Sequence, residues 1–173
     1  MSPDQEQSFD EFVAVRYAGL RRTAYLLCGD WHLAEDLVQT TLVKLYARWP
    51  RLREPESACG YARTTLVRHY IDTRRRRGSR EVATVDVPEV VDGLPSGATD
   101  PDPERRLALL AALAQVSPGY RAVLVLRFWE DQSIEAVATA LATSTGAVKS
   151  STNRGLAQLR AILGDSLREI AGS

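Results

Sequence analysis

Cysteine, histidine and lysine are all scarce in this chain of 173 residues, which contains two of each. Cys28 and Cys59 form no CxxC pair, and His32 and His69 stand apart from each other and from any cluster of carboxylates. Zinc sites and metal-dependent nucleases require such clusters, so the sequence argues against a metal centre and against an enzyme acting on nucleic acid. We expect no cofactor, and we expect both thiols to be buried and reduced.

Long apolar runs are also missing, since no stretch of about 18 apolar residues could span a bilayer. The first residues, "MSPDQEQSFDEF", are acidic and polar, whereas a signal peptide begins with basic residues followed by apolar ones. The hydrophobic content of 45% is enough for one medium domain or two small ones. We therefore expect a globular cytoplasmic protein.

The net charge of zero conceals an uneven distribution along the chain. Residues 61–80 contain seven arginines and a single acid, Asp72, and residues 149–160 contain three cations and no acid. Between them, residues 86–103 contain five acids, four prolines and no cation. Two basic segments on one molecule suggest a polyanion that is contacted at two places.

The acidic segment also indicates a domain boundary, because proline and glycine interrupt helices and strands and no apolar period continues through it. We predict a flexible linker over residues 81–103. It would join an N-terminal domain, residues 8–80, to a C-terminal domain, residues 104–165, with a short tail at 166–173.

Both domains are predicted to be helical, because their apolar residues recur at spacings of three and four and no useful segment alternates as a strand would. In the N-terminal domain Gly29 and Asp30 separate the first two helices, and Pro50 ends the second. A third helix begins after "EPES" and ends near Gly78. The predicted fold is therefore all-α.

Four more helices are predicted in the C-terminal domain. The first covers residues 103–116, and Ser117 and Pro118 are typical of the start of the second, which continues to Trp129. Ser133 caps the third helix, and "ATSTG" forms the turn before the last. The residues of the last two helices that we expect to face the core are Ile134, Val137, Ala138, Leu141, Val148, Gly155, Leu156 and Leu159.

The last two helices and the turn between them are arranged as a helix-turn-helix. In this motif the first helix supports the second, whose N-terminal turns enter the major groove. Cations and amides there bond base edges, and the exposed N–H groups of the helix start suit a phosphate. The candidate DNA-binding residues are Ser133, Thr145, Gly146, Lys149, Ser150, Asn153 and Arg154. A solvated polar face on an ordinary helical hairpin explains the same residues equally well.

Four blocks of the sequence, in this order, are similar to one protein family. They read "GDWHLAEDLVQTTLVKLYARW", "GYARTTLVRHYIDTRRRR", "SPGYRAVLVLRFWEDQSIEAVATALATSTGAVKS" and "NRGLAQLR". Over about residues 8–163 the chain resembles a bacterial RNA polymerase sigma factor of the extracytoplasmic-function (ECF) class, of the GC-rich actinobacterial type. The resemblance implies a protein that is not an enzyme, and that binds core RNA polymerase and directs it to chosen promoters.

The resemblance implies a polymerase-docking role for the second helix, "AEDLVQTTLVKLY", which is similar to the segment that contacts the clamp helices of the largest subunit. The candidate contact residues are Glu35, Asp36, Gln39, Thr40 and Lys44, with Leu33, Leu37 and Leu42 turned inward. From the residues alone, water is a sufficient partner for this polar face. The resemblance also implies contact with the flap of the second subunit, and an anti-sigma factor as a further candidate partner.

The third helix and the loop before it, residues 52–58, resemble the part of the family that engages and melts the minus-ten promoter element. Holding an unpaired strand requires cations for the backbone and rings or pockets for the bases. The candidates are Arg63, Arg68, His69, Arg74, Arg75, Arg76 and Arg77. Tyr61 and Tyr70 also fit the apolar face, and we expect them to be core residues. The helix-turn-helix is similar to the module that reads the minus-thirty-five element in duplex DNA.

Four positions depart from the family pattern. Related sequences often have Asn where Arg68 stands and Thr where Ala147 stands, so the base preference at both elements is open. Asn153 offers an amide where Ala or Ser is common. Gly155 in mid-helix costs about 1 kcal/mol relative to alanine, which predicts a packing reason for it.

Alternatives remain at this point. A stand-alone repressor or response-regulator effector would use the helix-turn-helix alone, and it would leave the docking helix and the arginine run without a role. A protein-interaction module without DNA is disfavoured by the two basic segments. The acidic linker fits a mimic of nucleic acid inside a polymerase channel and a plain disordered tether equally well.

Overall fold

Helices account for almost all of the chain that the structure, a computed structural model, describes: residues 1–52, 54–77 and 103–171, without the side chains of residues 55 and 165–171. Those parts contain no strand, which confirms the all-α prediction. The helices are α1 Pro3–Cys28, α2 Trp31–Arg48, α3 Pro55–Arg77, α4 Pro103–Gln115, α5 Pro118–Leu124, α6 Ile134–Leu141 and α7 Thr145–Ala171. The predicted linker at 81–103 lies outside the described residues except for Pro103, which begins α4.

The junction between α1 and α2 follows the predicted residues. Gly29 ends α1 in the left-handed conformation, with φ of 72°, and its N–H donates to the Tyr25 carbonyl at 2.7 Å. Asp30 then caps α2, because its carboxylate accepts a hydrogen bond from the Leu33 N–H at 2.9 Å. A single 3₁₀ turn, Trp49–Arg51, follows α2 at the predicted proline stop.

The helix that starts at Pro118 differs from the prediction in two details. Ser117 stands at the N-cap position, but its side chain makes no cap; its Oγ accepts from the Gln158 amide at 3.2 Å instead. In addition, the last five residues, Val125–Trp129, form a π turn, so that the Glu130 N–H donates to the Val125 carbonyl at 3.0 Å. This wider turn holds one extra residue, and Glu130 directly after it contacts Thr23 of α1 and Arg63 of α3.

The N-terminal and C-terminal helices share one hydrophobic core. Leu27, Val38 and Leu66 from the first three helices are fully buried in the same cluster as Leu126 and Val148. A smaller cluster around Phe12 and Leu45 lies within the N-terminal helices, where Trp49 packs edge-on against Phe9. The sequence did not specify how the two predicted domains lie against each other, and in this structure they pack in direct contact.

The two cysteines differ in their surroundings, although neither forms a disulfide. Cys28 is buried as expected, and its Sγ donates to the Asp30 carbonyl at 3.1 Å. Burial raises the pKa of the Cys28 thiol to about 11, so the thiol is protonated at neutral pH. Cys59 is only half-buried, so the expectation that both thiols are buried is wrong for this residue.

Gly155 lies on α7 where that helix crosses α5. A Cβ atom at this position would lie 3.1 Å from Leu124 Cγ and 3.2 Å from Tyr120 Cβ. Both atoms are close to the α5 backbone and have little freedom to move aside. The close approach of the two helices is therefore the packing reason for a glycine in mid-helix.

We expect Gly155→Ala to be less stable than Gly164→Ala by about 2 kcal/mol. Alanine improves helix propensity by about 1 kcal/mol at either position, but at position 155 it introduces strain of about 1–3 kcal/mol. Gly164 is a matched control on the same helix, because a Cβ there would meet nothing within 4 Å. Urea unfolding of both variants measures the difference, and equal stabilisation would show that α5 and α7 adjust freely.

Candidate nucleic-acid interface

The helix-turn-helix is formed by α6, a short turn and α7, and each helix start is capped. The Ser133 Oγ accepts from the Ala136 N–H at 3.0 Å, so this hydroxyl already has a structural role in capping α6. Ala142 ends α6 in the left-handed conformation, with φ of 52°. Ser144 then caps α7 by accepting from the Ala147 N–H at 3.1 Å, a role that the sequence analysis missed.

The first turns of α7 present their polar side chains to solvent. Lys149, Ser150, Asn153 and Arg154 are exposed, while Val148 on the opposite face is fully buried. Thr145 and Gly146 are exposed at the helix start, where the positive end of the helix dipole lies. A hydrogen bond with the side chain of Tyr120, on α5, raises the pKa of Arg154. The arrangement is that of a helix able to enter a major groove, and contact with DNA stays a prediction for each residue.

The arginine run lies at the end of α3, where cations are favourable because the helix dipole is negative there. Arg75, Arg76 and Arg77 are exposed, and the Arg74 guanidinium lies 5.8 Å from the centre of the Tyr70 ring. Tyr70 is 2% exposed and belongs to the core, as predicted. Tyr61 is half-buried against the smaller cluster, with the Arg48 guanidinium 5.4 Å from its ring.

His69 contributes a ring rather than a charge to this helix. Burial lowers its pKa, and Lys44 and Arg76 lower it further, while Asp72 opposes them. The imidazole is therefore mostly neutral at pH 7, since its ordinary pKa is already about 6.5.

Two of the predicted DNA-binding arginines of α3, the half-buried Arg63 and the exposed Arg68, also contact the C-terminal helices. The Arg63 guanidinium forms an ion pair with the Glu130 carboxylate at 2.7 Å. Arg68 donates to the Ala140 carbonyl at 2.6 Å and to the Thr139 carbonyl at 3.1 Å, at the end of α6. Neither contact was predicted from the sequence.

The outer face of α2 is mostly open to solvent. Asp36, Gln39 and Lys44 are exposed and Thr40 is half-buried, while the neighbouring Leu37 is buried in the core. Glu35 differs from the others, because it forms an ion pair with Arg21 at 2.9 Å. Arg21 itself lies 4.2 Å above the Trp31 ring.

Comparison with known proteins assigns these helices to a family. Residues 13–80 match the family described as Sigma-70 region 2, and residues 106–159 match Sigma-70, region 4. The RNA polymerase sigma-E factor of Streptomyces avermitilis is 36% identical over 160 residues, which cover 92% of this chain and 87% of that protein. The ECF RNA polymerase sigma factor SigE of Mycolicibacterium smegmatis is 35% identical, over 96% of this chain and 65% of that protein.

This chain belongs to the ECF sigma factors. Its function is that of the family, promoter-specific initiation of transcription. Solved structures confirm the fold: the sigma factor RpoE of Bartonella quintana, in complex with the anti-sigma factor NepR, superimposes with a TM-score of 0.71 at 24% identity, covering 91% of this chain and 98% of RpoE. CnrH, in complex with the cytosolic domain of CnrY, gives 0.63 at 22% identity, with coverage of 92% and 90%.

The C-terminal helices of this sigma factor also form an apolar cleft of about 390 Å³, together with Leu26 of α1. Leucines of α4 and α7 line it together with Phe128 and Trp129 at the end of the π turn. Phe128 is 59% exposed and Trp129 is 41% exposed, which is unusual for large apolar side chains. The cleft is therefore a candidate surface for an apolar segment of another protein.

Arg121 and Glu130 were not predicted from the sequence, although both join the N-terminal and C-terminal helices. Arg121 is 4% exposed and donates to the carbonyls of Leu27, Ala114 and Val116. Its position as a single cation before the apolar run "AVLVL" was a signal that a buried partner exists. Glu130 had no such signal, because its position depends on the π turn.

Neither a metal centre nor a membrane-crossing helix is found in the parts of this sigma factor that the structure describes. Those parts contain no group of three or more histidines, cysteines, aspartates or glutamates that could hold a metal ion. None of the described helices is long and apolar enough to cross a membrane.

Proposed function

We propose that this sigma factor contacts promoter DNA at two places: α6 and α7 read the minus-thirty-five element in duplex form, and α3 engages and melts the minus-ten element. The observation that carries the proposal is the polar face of α7, where Lys149, Asn153 and Arg154 are exposed in the first turns of a capped helix-turn-helix. Lysine and arginine bond phosphates or guanine, and asparagine bonds adenine. Arg75, Arg76 and Arg77 give α3 the exposed positive charge that a single strand requires.

The proposal assigns docking on core polymerase to α2. Asp36, Gln39 and Lys44 are exposed on this helix together with two large side chains, Val43 at 68% and Tyr46 at 44%. Exposed apolar side chains beside polar ones are typical of a surface that a protein partner covers. We assign this surface to the clamp helices of the largest subunit, and the apolar cleft beside Phe128 to the flap of the second.

Three further properties belong to the proposal. The chain performs no catalysis itself, because initiation requires binding and melting while the polymerase makes the RNA. It acts in the cytoplasm, where core polymerase and the chromosome are. An anti-sigma factor is a candidate regulator, supported by the complex in which the Bartonella quintana sigma factor is seen.

Reconstitution with purified core polymerase tests the proposal. We expect run-off transcripts from a defined class of promoters when this protein is added, and none from core alone. Asp36→Arg should weaken capture of core in a pull-down by at least tenfold, because it reverses a charge at the centre of the docking face. Asp10→Arg is the matched control, since Asp10 is an exposed aspartate on α1 and not on α2.

Two results would contradict the proposal. Failure to capture core polymerase would remove the sigma-factor role. Tight, specific binding to duplex DNA without polymerase, together with no capture of core, would identify a stand-alone DNA-binding regulator instead.

A further inference from the structure

The arginine run at the end of α3 is divided between different sides of the helix. Arg74 and Arg77 follow Tyr70 and Thr73 at spacings of three and four, so these four side chains share one face of α3. The two arginines between them in the sequence fall on other sides and are exposed. The run therefore presents two separate groups of cations.

The face that starts at Tyr70 lines a small cavity of about 210 Å³ between α3 and α2. Leu33, Asp36 and Leu37 form the side of α2, and Cys28 closes the cavity at the end of α1. Sites for drug-sized ligands measure about 300–1,000 Å³. This cavity is therefore of a size for a small chemical group.

Hydrogen-bond donors predominate among the side chains of this cavity. The guanidinium groups of Arg74 and Arg77 donate, as do the hydroxyl groups of Thr73 and Tyr70. Among the described residues that line the cavity, Asp36 is the only carboxylate, and it forms no ion pair with either arginine. The cavity is accordingly suited to an anion.

Two other titratable groups of the cavity are mostly uncharged at neutral pH. Burial raises the pKa of the Cys28 thiol to about 11, so no thiolate offsets the arginines. Burial lowers the pKa of His69, and the nearby Lys44 lowers it further, so the imidazole is mostly neutral. The two positive charges of the cavity are therefore balanced only by Asp36 at its rim.

One of the donors is buried and is left without a partner by the protein. Tyr70 is 2% exposed, and its hydroxyl group makes no hydrogen bond of normal geometry within the described residues. Burial raises the pKa of Tyr70, and the nearby Arg121 and Arg74 oppose this effect. The Nε of Arg121, which is also buried, likewise has no partner among the described residues. Buried donors are nearly always paired, so this group of donors requires an acceptor from outside the chain.

A phosphate group matches these donors in charge and in geometry. It carries a charge of about −1.5 to −2 near neutral pH and has three strong acceptor oxygens. Guanidinium groups bind phosphate through paired hydrogen bonds, which an arginine makes better than a lysine does. Because Arg74 and Arg77 are neighbours on one helix face, a diphosphate can engage both of them.

We propose that the cavity between α2 and α3 binds a phosphate group, held by Arg74, Arg77 and the Tyr70 hydroxyl. A free phosphorylated small molecule and the backbone of an unpaired DNA strand both carry this group, and the experiment below distinguishes the two sources. The inference does not depend on the proposed function, because binding is measured on the free protein.

Isothermal titration calorimetry on the full chain, at constant ionic strength, tests the site with pyrophosphate and with inorganic phosphate. We expect pyrophosphate to bind with a Kd of about 1 mM or tighter, and inorganic phosphate to bind more weakly. Arg77→Gln and Tyr70→Phe should each weaken pyrophosphate binding by about tenfold, as for one lost hydrogen bond to a charged group. Arg75→Gln is the matched control, because Arg75 is exposed on the same helix outside the cavity, and it should change the Kd by less than about twofold.

Removal of the carboxylate at the rim should have the opposite effect. Asp36→Asn is expected to tighten pyrophosphate binding by about threefold, because it removes a negative charge beside the anion. Asp72→Asn is its control, since Asp72 is exposed on α3 and does not line the cavity. A melting curve by circular dichroism establishes that each variant is folded, and Tyr70→Phe removes a single oxygen atom from the core.

Three results would overturn the proposal. The first is no binding of pyrophosphate at concentrations up to about 10 mM, which is tenfold above the expected upper limit of the Kd. The second is an equal loss of affinity for Arg75→Gln and Arg77→Gln, which would mean that the arginine run attracts anions without a specific site. The third is an unchanged Kd for the folded Tyr70→Phe variant.

Competition with a short single-stranded oligonucleotide identifies the source of the phosphate group. If the strand displaces pyrophosphate and Tyr70→Phe weakens both ligands alike, the DNA backbone supplies the group. If the strand and pyrophosphate bind together and Tyr70→Phe weakens only pyrophosphate, a free phosphorylated molecule supplies it. Capture of core polymerase is a separate measurement, so its failure would remove the proposed function and leave this site standing.

Discussion

Replacing Arg121 by methionine is expected to lower the free energy of unfolding by about 3 kcal/mol or more. The guanidinium donates to three carbonyls that have little access to water, including Leu27 at 2.7 Å and Val116 at 2.8 Å. Hydrogen bonds to a charged donor contribute about 1.5–3 kcal/mol each, and every buried acceptor left without a donor costs about 1–3 kcal/mol. Part of this loss is offset because methionine is less costly to bury than a charge.

Urea unfolding followed by circular dichroism measures this change. Arg160→Met is the control, because Arg160 is exposed on α7 and its replacement should change stability by less than about 0.5 kcal/mol. Arg121→Lys should recover little of the loss, since an ammonium group lacks the planar fork that reaches separate carbonyls. A loss below about 1 kcal/mol for Arg121→Met would show that water replaces the guanidinium at this site.

The second large effect is expected at the recognition helix, where Arg154→Ala should reduce initiation at a responsive promoter by about tenfold to a hundredfold. A good contact between arginine and a base edge contributes about 1–3 kcal/mol of discrimination. Lys149→Ala should reduce binding more evenly across promoters and should lower the salt slope of binding by about 0.9, as for one lost phosphate contact. Arg154 and Lys149 therefore differ in the kind of effect expected: loss of Arg154 changes discrimination between promoters, whereas loss of Lys149 changes the salt slope of binding.

Promoter binding by the holoenzyme at several salt concentrations checks both variants. Arg160→Ala is the control for general loss of positive charge, because it removes a cation from the same helix beyond the first turns. If Arg160→Ala and Arg154→Ala reduce promoter binding equally, α7 attracts DNA through charge alone. An unchanged salt slope for Lys149→Ala would place that residue away from the phosphates.

Local features of the fold could be predicted because short-range chemistry determines them. Gly29 tolerates a positive φ, Asp30 and Ser133 accept hydrogen bonds from the first turns of their helices, and Pro118 fits a first turn. These residues predict the end of α1 and the starts of α2, α5 and α6 almost to the residue. The period of apolar residues likewise predicted which face of α7 is buried, with Val148 at its centre.

Long-range features could not be predicted in the same way. The partners of Arg68 and Arg121 are main-chain carbonyls, which exist at every residue and leave no mark in the sequence. The π turn at Val125–Trp129 has no characteristic composition, so the position of Glu130 was unpredictable. Gly155 was recognised as unusual, but the neighbours that require it, Leu124 and Tyr120, depend on how α5 and α7 cross.

The arginine contacts at the helix ends also affect how this interface responds to mutation. Side-chain changes at Leu27, Thr139 or Ala140 leave the acceptor in place, because the acceptor is the backbone itself. Mutations that loosen these two contacts are therefore concentrated at the donors, Arg68 and Arg121. Substitutions that loosen the contact between the N-terminal and C-terminal helices should accordingly be sought at those arginines and at Glu130, whereas changes at the acceptor positions act through core packing, as at the buried Leu27.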